Sequence, residues 1–388
     1  MAAAVASSRS HLFKPEHEEF RGTLRRFIDK EVRPHVDEWE AVSQFPRELF
    51  RRFAALDLLG LKYDEQYGGT NAGVIYEAVL FEELARSGSG GVAAGIGAHV
   101  AIATPPINDF GTDAQRQRWL APAIKGEKIA ALGITEPSGG SDIAHVETTA
   151  RLDGDAYVVN GSKMFITNGV NADLVVVLTR TRPEGGHRGL TMLVIERDTP
   201  GYSVGRKLDK LGWRASDTAE LVFQDCRVPV ENRLGEENNG FYLAVGNFQW
   251  ERLWIALMAV SSAQRSLELA VDYAANRVQF GKPLTAMQVI RHEIADMALT
   301  IEAARQLTYH ALWLHSQKMP CTKEVSMAKI AATEADVKVA DRALQIHGGY
   351  GYMMEYPIQR AWRDARLGPI GAGTNEIMRE IIAKELDL

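Results

Sequence analysis

Two stretches of this chain carry residue types that could hold or transform a small molecule. The first is Ala131-Leu-Gly-Ile-Thr-Glu-Pro-Ser-Gly-Gly-Ser-Asp142, a hydrophobic run opening into three hydroxyls, two carboxylates, a proline and paired glycines. Pro137 removes a donor and fixes φ, and Gly139 and Gly140 permit positive φ. The chain can therefore turn sharply and aim backbone N–H groups and the Thr135 and Ser141 hydroxyls at one object. Ordinary surface turns use the same residue types. The second stretch is Trp250-Glu-Arg-Leu253. A solvated pair is the plain reading of adjacent Glu251 and Arg252. Adjacent residues diverge by about 100° around a helix, however, and Trp254 and Ile255 lie one turn beyond Glu251. A carboxylate in apolar surroundings holds its proton more tightly and suits general-base work.

The elements that must position these residues follow from periodicity. Over residues 14–125 the pattern is helical, with Phe20, Leu24, Phe27, Ile28 and Val32 on one face and a second helix over residues 76–85. Ser87-Gly-Ser-Gly-Gly91 lacks a following Lys-Ser or Lys-Thr at phosphate-loop spacing and reads as a turn between helices. His99, in an apolar segment, reads as a packed core residue.

Over residues 129–236 the period becomes extended, in runs such as Asp173-Leu-Val-Val-Val-Leu178 and Leu190-Thr-Met-Leu-Val-Ile195. With no helical crossovers, these strands should pair antiparallel as a sandwich or barrel, not as a nucleotide-binding parallel sheet. Asn160-Gly161 carries the signal of a tight hairpin turn, and Phe165 and Thr167 would share a strand face able to meet a flat heterocycle. After Gly240 the pattern is helical again. A long, partly buried helix starts near Val245, which puts Glu251 near its first turns and within reach of the helix dipole. The reading is an α+β protein with a helical N-terminal domain (1–128), a middle antiparallel β-domain (129–238) and a helical C-terminal domain (239–388).

Composition excludes several classes. Forty-four Lys plus Arg against fifty Asp plus Glu leaves no basic excess for nucleic acid. Only Cys226 and Cys321 are present, so neither a disulfide framework nor a structural zinc site is expected, and no metal is called for. No apolar run reaches the roughly 20 residues of a membrane span. Residues 1–10, small and free of acids, read as a frayed terminus and not as a targeting segment.

Thr135-Glu-Pro137, Gly140-Ser-Asp142 and Phe165-Ile-Thr-Asn168, in this order, resemble the acyl-CoA dehydrogenases, which are flavoenzymes. The resemblance extends to Arg277-Val-Gln-Phe-Gly281, Gln288, the Gln345-Ile-His-Gly-Gly-Tyr-Gly-Tyr352 turn and Gly371-Ala-Gly-Thr374. It implies FAD as cofactor. Ile134, Thr135, Ser141, Phe165, Ile166 and Thr167 would hold its ring system. Arg277, Phe280, Gln288, Gln345, Ile346, His347, Gly348 and Gly349 would serve its pyrophosphate and adenosine. Thr374, Asn375 and Glu376 would make further contacts, Thr374 or Asn375 also capping the final helix. Phe165 stands where relatives often have tryptophan. Residues 207–218 correspond to a connection bordering the CoA entrance.

Most members of that family carry the catalytic base in a Tyr-Glu-Gly-Thr stretch near the C-terminus, and Gly371-Ala-Gly-Thr374 lacks it. A minority, typified by the isovaleryl-CoA and long-chain enzymes, carry a glutamate immediately before a helix arginine, as Glu251 does here. The resemblance therefore makes Glu251 the base that takes the α-proton of an acyl-CoA thioester. Ser141, Gln249, Trp250, Arg252, Gly371, Ala372 and Gly373 would contact that substrate, with the Ala372 N–H polarising its carbonyl. The small Gly371 and Ala372 leave room for a methyl branch, in a pocket shaped by Trp250 and Trp254. Electron transfer flavoprotein is the implied acceptor, a homodimer or homotetramer the implied assembly, and bacterial cytoplasm or mitochondrial matrix the implied location. Two other readings compete. An oxygen-using flavin oxidase of the same fold would release peroxide, and a non-catalytic helical binding protein would be colourless.

Overall fold

Residues 12–388 are described by the computed structural model, so the frayed terminus expected over residues 1–10 lies outside the described residues. Helix α1 (Pro15–Glu31) starts on a proline that needs no N–H partner and buries Leu24 and Ile28. It packs on α2 (Val74–Ala85), which is apolar enough to sit in the core yet carries buried Glu77, Glu82 and Glu83. Burial of these acids is tolerated because cations meet them: Arg21 binds Glu82 at 2.6 Å and Glu83 at 3.3 Å, and Lys62 binds Glu77 at 3.0 Å.

After the Ser87–Gly91 turn, Ser89 caps α3 (Gly90–Gly97) by accepting from the Val92 N–H. Contrary to expectation, the helical run that continues through residues 90–110 is long and apolar enough, by composition alone, to cross a bilayer. The π-helical turn at Ala98–Ala103 and the prolines at 105 and 106 hide this continuity from a linear reading. Its apolar window is 89% buried inside the protein, so core packing accounts for its composition. His99 is fully buried there, its Nε2 3.1 Å from the Ala123 carbonyl and its Nδ1 accepting from the Ala130 N–H.

The middle of the chain forms one eight-stranded sheet. Its strands are β1 (Ala130–Gly133), β2 (Thr149–Asp153), β3 (Ala156–Thr167), β4 (Leu174–Arg180), β5 (Leu190–Glu196), β6 (Tyr202–Lys207), β7 (Thr218–Pro229) and β8 (Arg233–Leu234). They run β6-β7-β3-β2-β4-β5-β8, with β1 on β4. Most pairs are antiparallel, as expected, but β1 joins β4 parallel, and β2 touches β4 through one parallel pair, Thr149 with Arg180. The chain between β1 and β4 contains the candidate binding loop and the β2–β3 hairpin, long enough to return it to the same edge. Leu174, Val176 and Leu178 pack in the cluster that includes the helices, while Val175 and Val177 pack with Val159 of β3 and Leu221 and Phe223 of β7, so β4 is buried on both sides and reads as an unbroken apolar run.

Asn160-Gly161 is not a hairpin turn. β3 runs through it, and the β2–β3 turn is Gly154–Asp155. Because β7 continues as a partner past this point, the turn-like pair is absorbed as a bulge, with the Asn160 amide and Asp225 exchanging bonds of 3.1 and 2.8 Å.

The C-terminal helices are α4 (Gly240–Asn276), α5 (Gln288–Ser316), α6 (Thr322–His347), α7 (Pro357–Ala365) and α8 (Asn375–Glu385). α4 starts at Gly240, not near Val245, so Glu251 lies about three turns inside, beyond the dipole's first-turn reach. This helix unites the molecule. Leu243 and Ala244 enter the core beneath β5, Trp250 to Met258 join the N-terminal helices, and Ala259 to Ala274 pack with α5 and α6.

Candidate active site

Glu251 is buried in the α4 segment shared with the N-terminal helices, 6% exposed. Burial raises its carboxyl to about 7, against the opposing effects of an Asn247 hydrogen bond and the Arg252 and Lys62 charges. Asn247, one turn earlier, donates from Nδ2 to Glu251 Oε1 at 3.0 Å and to the Ala101 carbonyl at 2.8 Å. Arg252 makes no ion pair with Glu251 among the described residues. Its guanidinium lies over Phe248 at 5.5 Å and its Nε has no partner. Trp250 is buried, stacked on His315 at 5.2 Å beneath the Lys62 ammonium. The Gln249 amide donates to Thr322 Oγ1 at 2.6 Å, which ties it to the start of α6.

The 131–142 loop is fixed by a carboxylate that its own turn residues do not explain. Glu136 is buried and accepts from the Glu147 N–H at 2.6 Å, the Thr148 N–H at 2.9 Å and Lys163 Nζ at 2.7 Å. Burial pushes the Glu136 carboxyl up, but Lys163 and these donors prevail and hold it below its ordinary value. Lys163 also donates to the Ile134 carbonyl at 3.1 Å, and the Met164 N–H donates to the Thr135 carbonyl at 2.8 Å. The loop and β3 are thereby joined where Phe165 emerges. A second bulge gives Phe165 a φ of +63° and leaves its ring 67% exposed, while Ile166 faces the core and Thr167 is half-buried. Ser141 is exposed. Asn168 donates to the Gly95 carbonyl at 2.9 Å, which anchors the strand end to α3.

The turn at residues 371–375 comes to α4 from the opposite side. Ala372 has a φ of +52° and packs against the cluster holding Trp250, Leu253 and Ile255. A Cβ placed on Gly373 would lie 3.9 Å from Arg252 Nη2. Lys329, fully buried on α6, donates to the Gly373 carbonyl at 2.8 Å and to Asn375 Oδ1 at 2.9 Å. Thr374 caps α8 through the Ile377 N–H. The Asn375 amide is directed inward to Thr333 and Glu334, and Glu376 is exposed.

Arg277, Ile346, His347, Gly348 and Gly349 line one cavity of about 400 Å³. Arg277 lies 5.5 Å over the Tyr350 ring with no acidic partner among the described residues, and an added Cβ on Gly348 or Gly349 would meet nothing within 4 Å. A guanidinium without an acid beside open glycine backbone suits a pyrophosphate. Phe280, 92% exposed, and Gln288 lie outside this cavity's lining, as does exposed Gln345. Sequence reasoning missed Asn247, Lys163 and Lys329. Only Asn247, four residues before Glu251, carried a local signal.

Three family models cover the chain: the acyl-CoA dehydrogenase N-terminal domain over residues 14–127, the middle domain over 131–226 and the C-terminal domain over 238–386. The mitochondrial short-chain specific acyl-CoA dehydrogenase of Rattus norvegicus is 41% identical, over 95% of this chain and 90% of its own length. The mitochondrial long-chain specific enzyme of Sus scrofa is 40% identical, over 97% and 87%. The crystal structure of acyl-CoA dehydrogenase from Geobacillus kaustophilus superposes with a TM-score of 0.95 at 45% identity, over 97% of this chain and 100% of that one.

Proposed function

This chain belongs to the FAD-dependent acyl-CoA dehydrogenase family, and from that premise we propose that Glu251 is its catalytic base and a short, methyl-branched acyl-CoA its substrate. The observation that carries the proposal is the burial of Glu251, whose carboxyl is raised to about 7 on the helix shared by all three parts of the molecule. Such a group is ionised often enough near neutral pH, and basic enough, to take the weakly acidic α-proton of a thioester.

FAD, when bound, supplies the acceptor for the β-hydrogen, which leaves as hydride. The Thr135, Ser141 and Phe165 surface would receive its ring, and Arg277 with Gly348 and Gly349 its pyrophosphate. Phe280 and Arg277 are exposed, which supports completion of a flavin site by a second copy, hence a homodimer or homotetramer. The Ala372 N–H is the proposed donor to the thioester carbonyl, where enolate charge develops as the proton leaves. Overall identity is nearly equal to a short-chain and a long-chain enzyme, so it does not select a substrate. The branched-chain reading rests instead on small Gly371 and Ala372, the latter packed against the cluster that holds Trp250 and Ile255 on either side of Glu251 in sequence. Electron transfer flavoprotein is the proposed acceptor, and bacterial cytoplasm or mitochondrial matrix the proposed location.

Anaerobic titration of the flavin band with isovaleryl-CoA and straight-chain acyl-CoAs tests this reading. Bleaching by the wild type, with thioester binding but no bleaching in Glu251→Gln, is expected. Bleaching of both proteins alike would assign the base elsewhere, and poor reduction by every branched thioester beside brisk reduction by butyryl-CoA would remove the branched substrate. Peroxide release in air would indicate an oxidase.

A further inference from the structure

We propose that Trp254 is the stop that sets the length of acyl chain this enzyme accepts, a proposal that rests on Glu251 marking the reacting end. The direction of the acyl tail follows from what flanks Glu251 along α4. Toward the helix start, Leu243 and Ala244 are sealed into the core with Leu190 and Met192, which leaves no room. In the other direction lies a cavity of about 220 Å³, whose wall on the same helix is Ile255, Met258, Ala259 and Ser262 and which is also lined by charged Arg33, Asp37, Arg265, Asp336, Arg360 and Asp364. These residues follow Glu251 by four, seven, eight and eleven positions and so share its side of the helix. A chain leaving Glu251 in that direction runs toward the cavity.

Trp254 stands across the way. It is 2% exposed, and its indole lies flat against α3: a Cβ added to Gly97 would come within 2.4 to 2.5 Å of Nε1, Cε2 and Cζ2. Only glycine at position 97 lets the ring occupy this place. On its other side the ring meets Trp213, centroid to centroid 6.4 Å, and Trp213 in turn lines the cavity and crowds Gly90. On this proposal the two indoles lie between Glu251 and the cavity, with Trp213 on the cavity wall and Trp254 packed behind it. Stability alone does not call for tryptophan here, because its Nε1 is buried with no acceptor among the described residues, and an unpaired interior N–H is unfavourable. Its bulk is what the position uses. A short acyl group ends before the ring, a longer one collides with it, and removal of the ring would join the reaction chamber to the cavity beyond.

The test is kcat/KM of the FAD-loaded enzyme for butyryl-, hexanoyl-, octanoyl- and dodecanoyl-CoA, for wild type, Trp254→Leu and Trp254→Phe. Wild type should lose activity steeply beyond the short chains. Trp254→Leu should raise the octanoyl-to-butyryl ratio by about 10- to 200-fold, the range a single methylene commands in a hydrophobic pocket. Trp254→Phe keeps the aromatic contact with Phe81, loses the fused ring and should shift the ratio the same way by less, which preserves the test if the leucine variant does not fold. A wild type that handles dodecanoyl-CoA as well as butyryl-CoA overturns the proposal. So does an unmoved ratio in variants that retain flavin and butyryl-CoA activity, and that result leaves the dehydrogenase reading intact. A wild-type flavin that no acyl-CoA bleaches would instead overturn the reading on which the proposal rests.

Discussion

Asn247 Nδ2 lies 3.0 Å from Glu251 Oε1, one helical turn away, and its other hydrogen bond, to the Ala101 carbonyl, fixes the amide in that pose. The bond stabilises the ionised carboxylate and opposes the burial that raises it. Asn247→Leu should therefore move the acid limb of the kcat/KM profile, set near pH 7 in wild type, upward by about one to two units, since a hydrogen bond to a charged group is worth about 1.5 to 3 kcal/mol. Activity should recover at alkaline pH. An unmoved limb in a folded variant would mean that the amide does not tune the base.

Glu251→Gln should abolish flavin reduction, with at least the ~10² to 10⁴ of positioned base catalysis lost. The same variant has a stability signature. The carboxyl's folded value, about 7, lies above its ordinary 4.5, so the native state holds a proton that the unfolded chain has released. This contribution is complete below about pH 4.5 and is lost as pH rises to about 7, a change of about 3 kcal/mol. The Gln variant lacks this loss, so its Tm relative to wild type should climb between pH 5 and pH 8. A constant difference would place Glu251 in solvent-like surroundings.

The contrast between these two residues shows what a linear reading reaches. The burial of Glu251 was legible through its apolar neighbours, as was the fold class through a change of period. The unbroken apolar run of β4 likewise announces a strand buried on both faces. Asn160-Gly161 misled because turn chemistry is local, whereas the fate of those residues depends on how far β7 extends alongside them. Asn239 is the cap-type residue before α4, but its side chain makes no capping hydrogen bond and Gly240 follows it, so this start is easily passed over in favour of the apolar period near Val245. Lys163 and Lys329 look like solvated lysines until the fold puts Glu136 and the 371–375 turn against them.

Lys163 and Glu136 form a buried pair, 0% and 4% exposed at their side chains, 2.7 Å apart. Burial lowers the Lys163 ammonium to about 8 even with that partner. Lys163→Met strands the Glu136 carboxylate and should destabilise the protein by about 3 to 5 kcal/mol, because an unpaired interior charge is costly. Adding Glu136→Gln should restore part of that loss. FAD retention should fall in the single variant more than in the double, since the stranded charge lies beneath the Thr135 loop. Denaturant midpoints and flavin content measure both effects, and a double variant no more stable than Lys163→Met would deny the coupling.

Lys329 holds the turn that carries Ala372, whose N–H is the proposed donor to the thioester carbonyl, through the Gly373 carbonyl and Asn375 Oδ1. Burial, then the nearby Arg252 charge, lowers its ammonium to about 8, with Glu376 and Glu334 opposing. Methionine at this position would fill similar volume but leave both acceptors without their donor, and the turn would lose its fixed register. Misplacement of a carbonyl-polarising group by about 1 Å can cost ~10² in rate, so Lys329→Met should lower kcat on that scale. KM should change less. Lys329→Arg, which retains a charged donor on a longer stem, should recover part of kcat if the bond to the Gly373 carbonyl is what positions the turn. Stopped-flow flavin reduction beside thermal denaturation separates the roles. A lower Tm with unchanged reduction rate would make Lys329 a structural lysine only, whereas a slowed reduction in a protein of near-normal Tm makes it a positioning residue for the donor at Ala372.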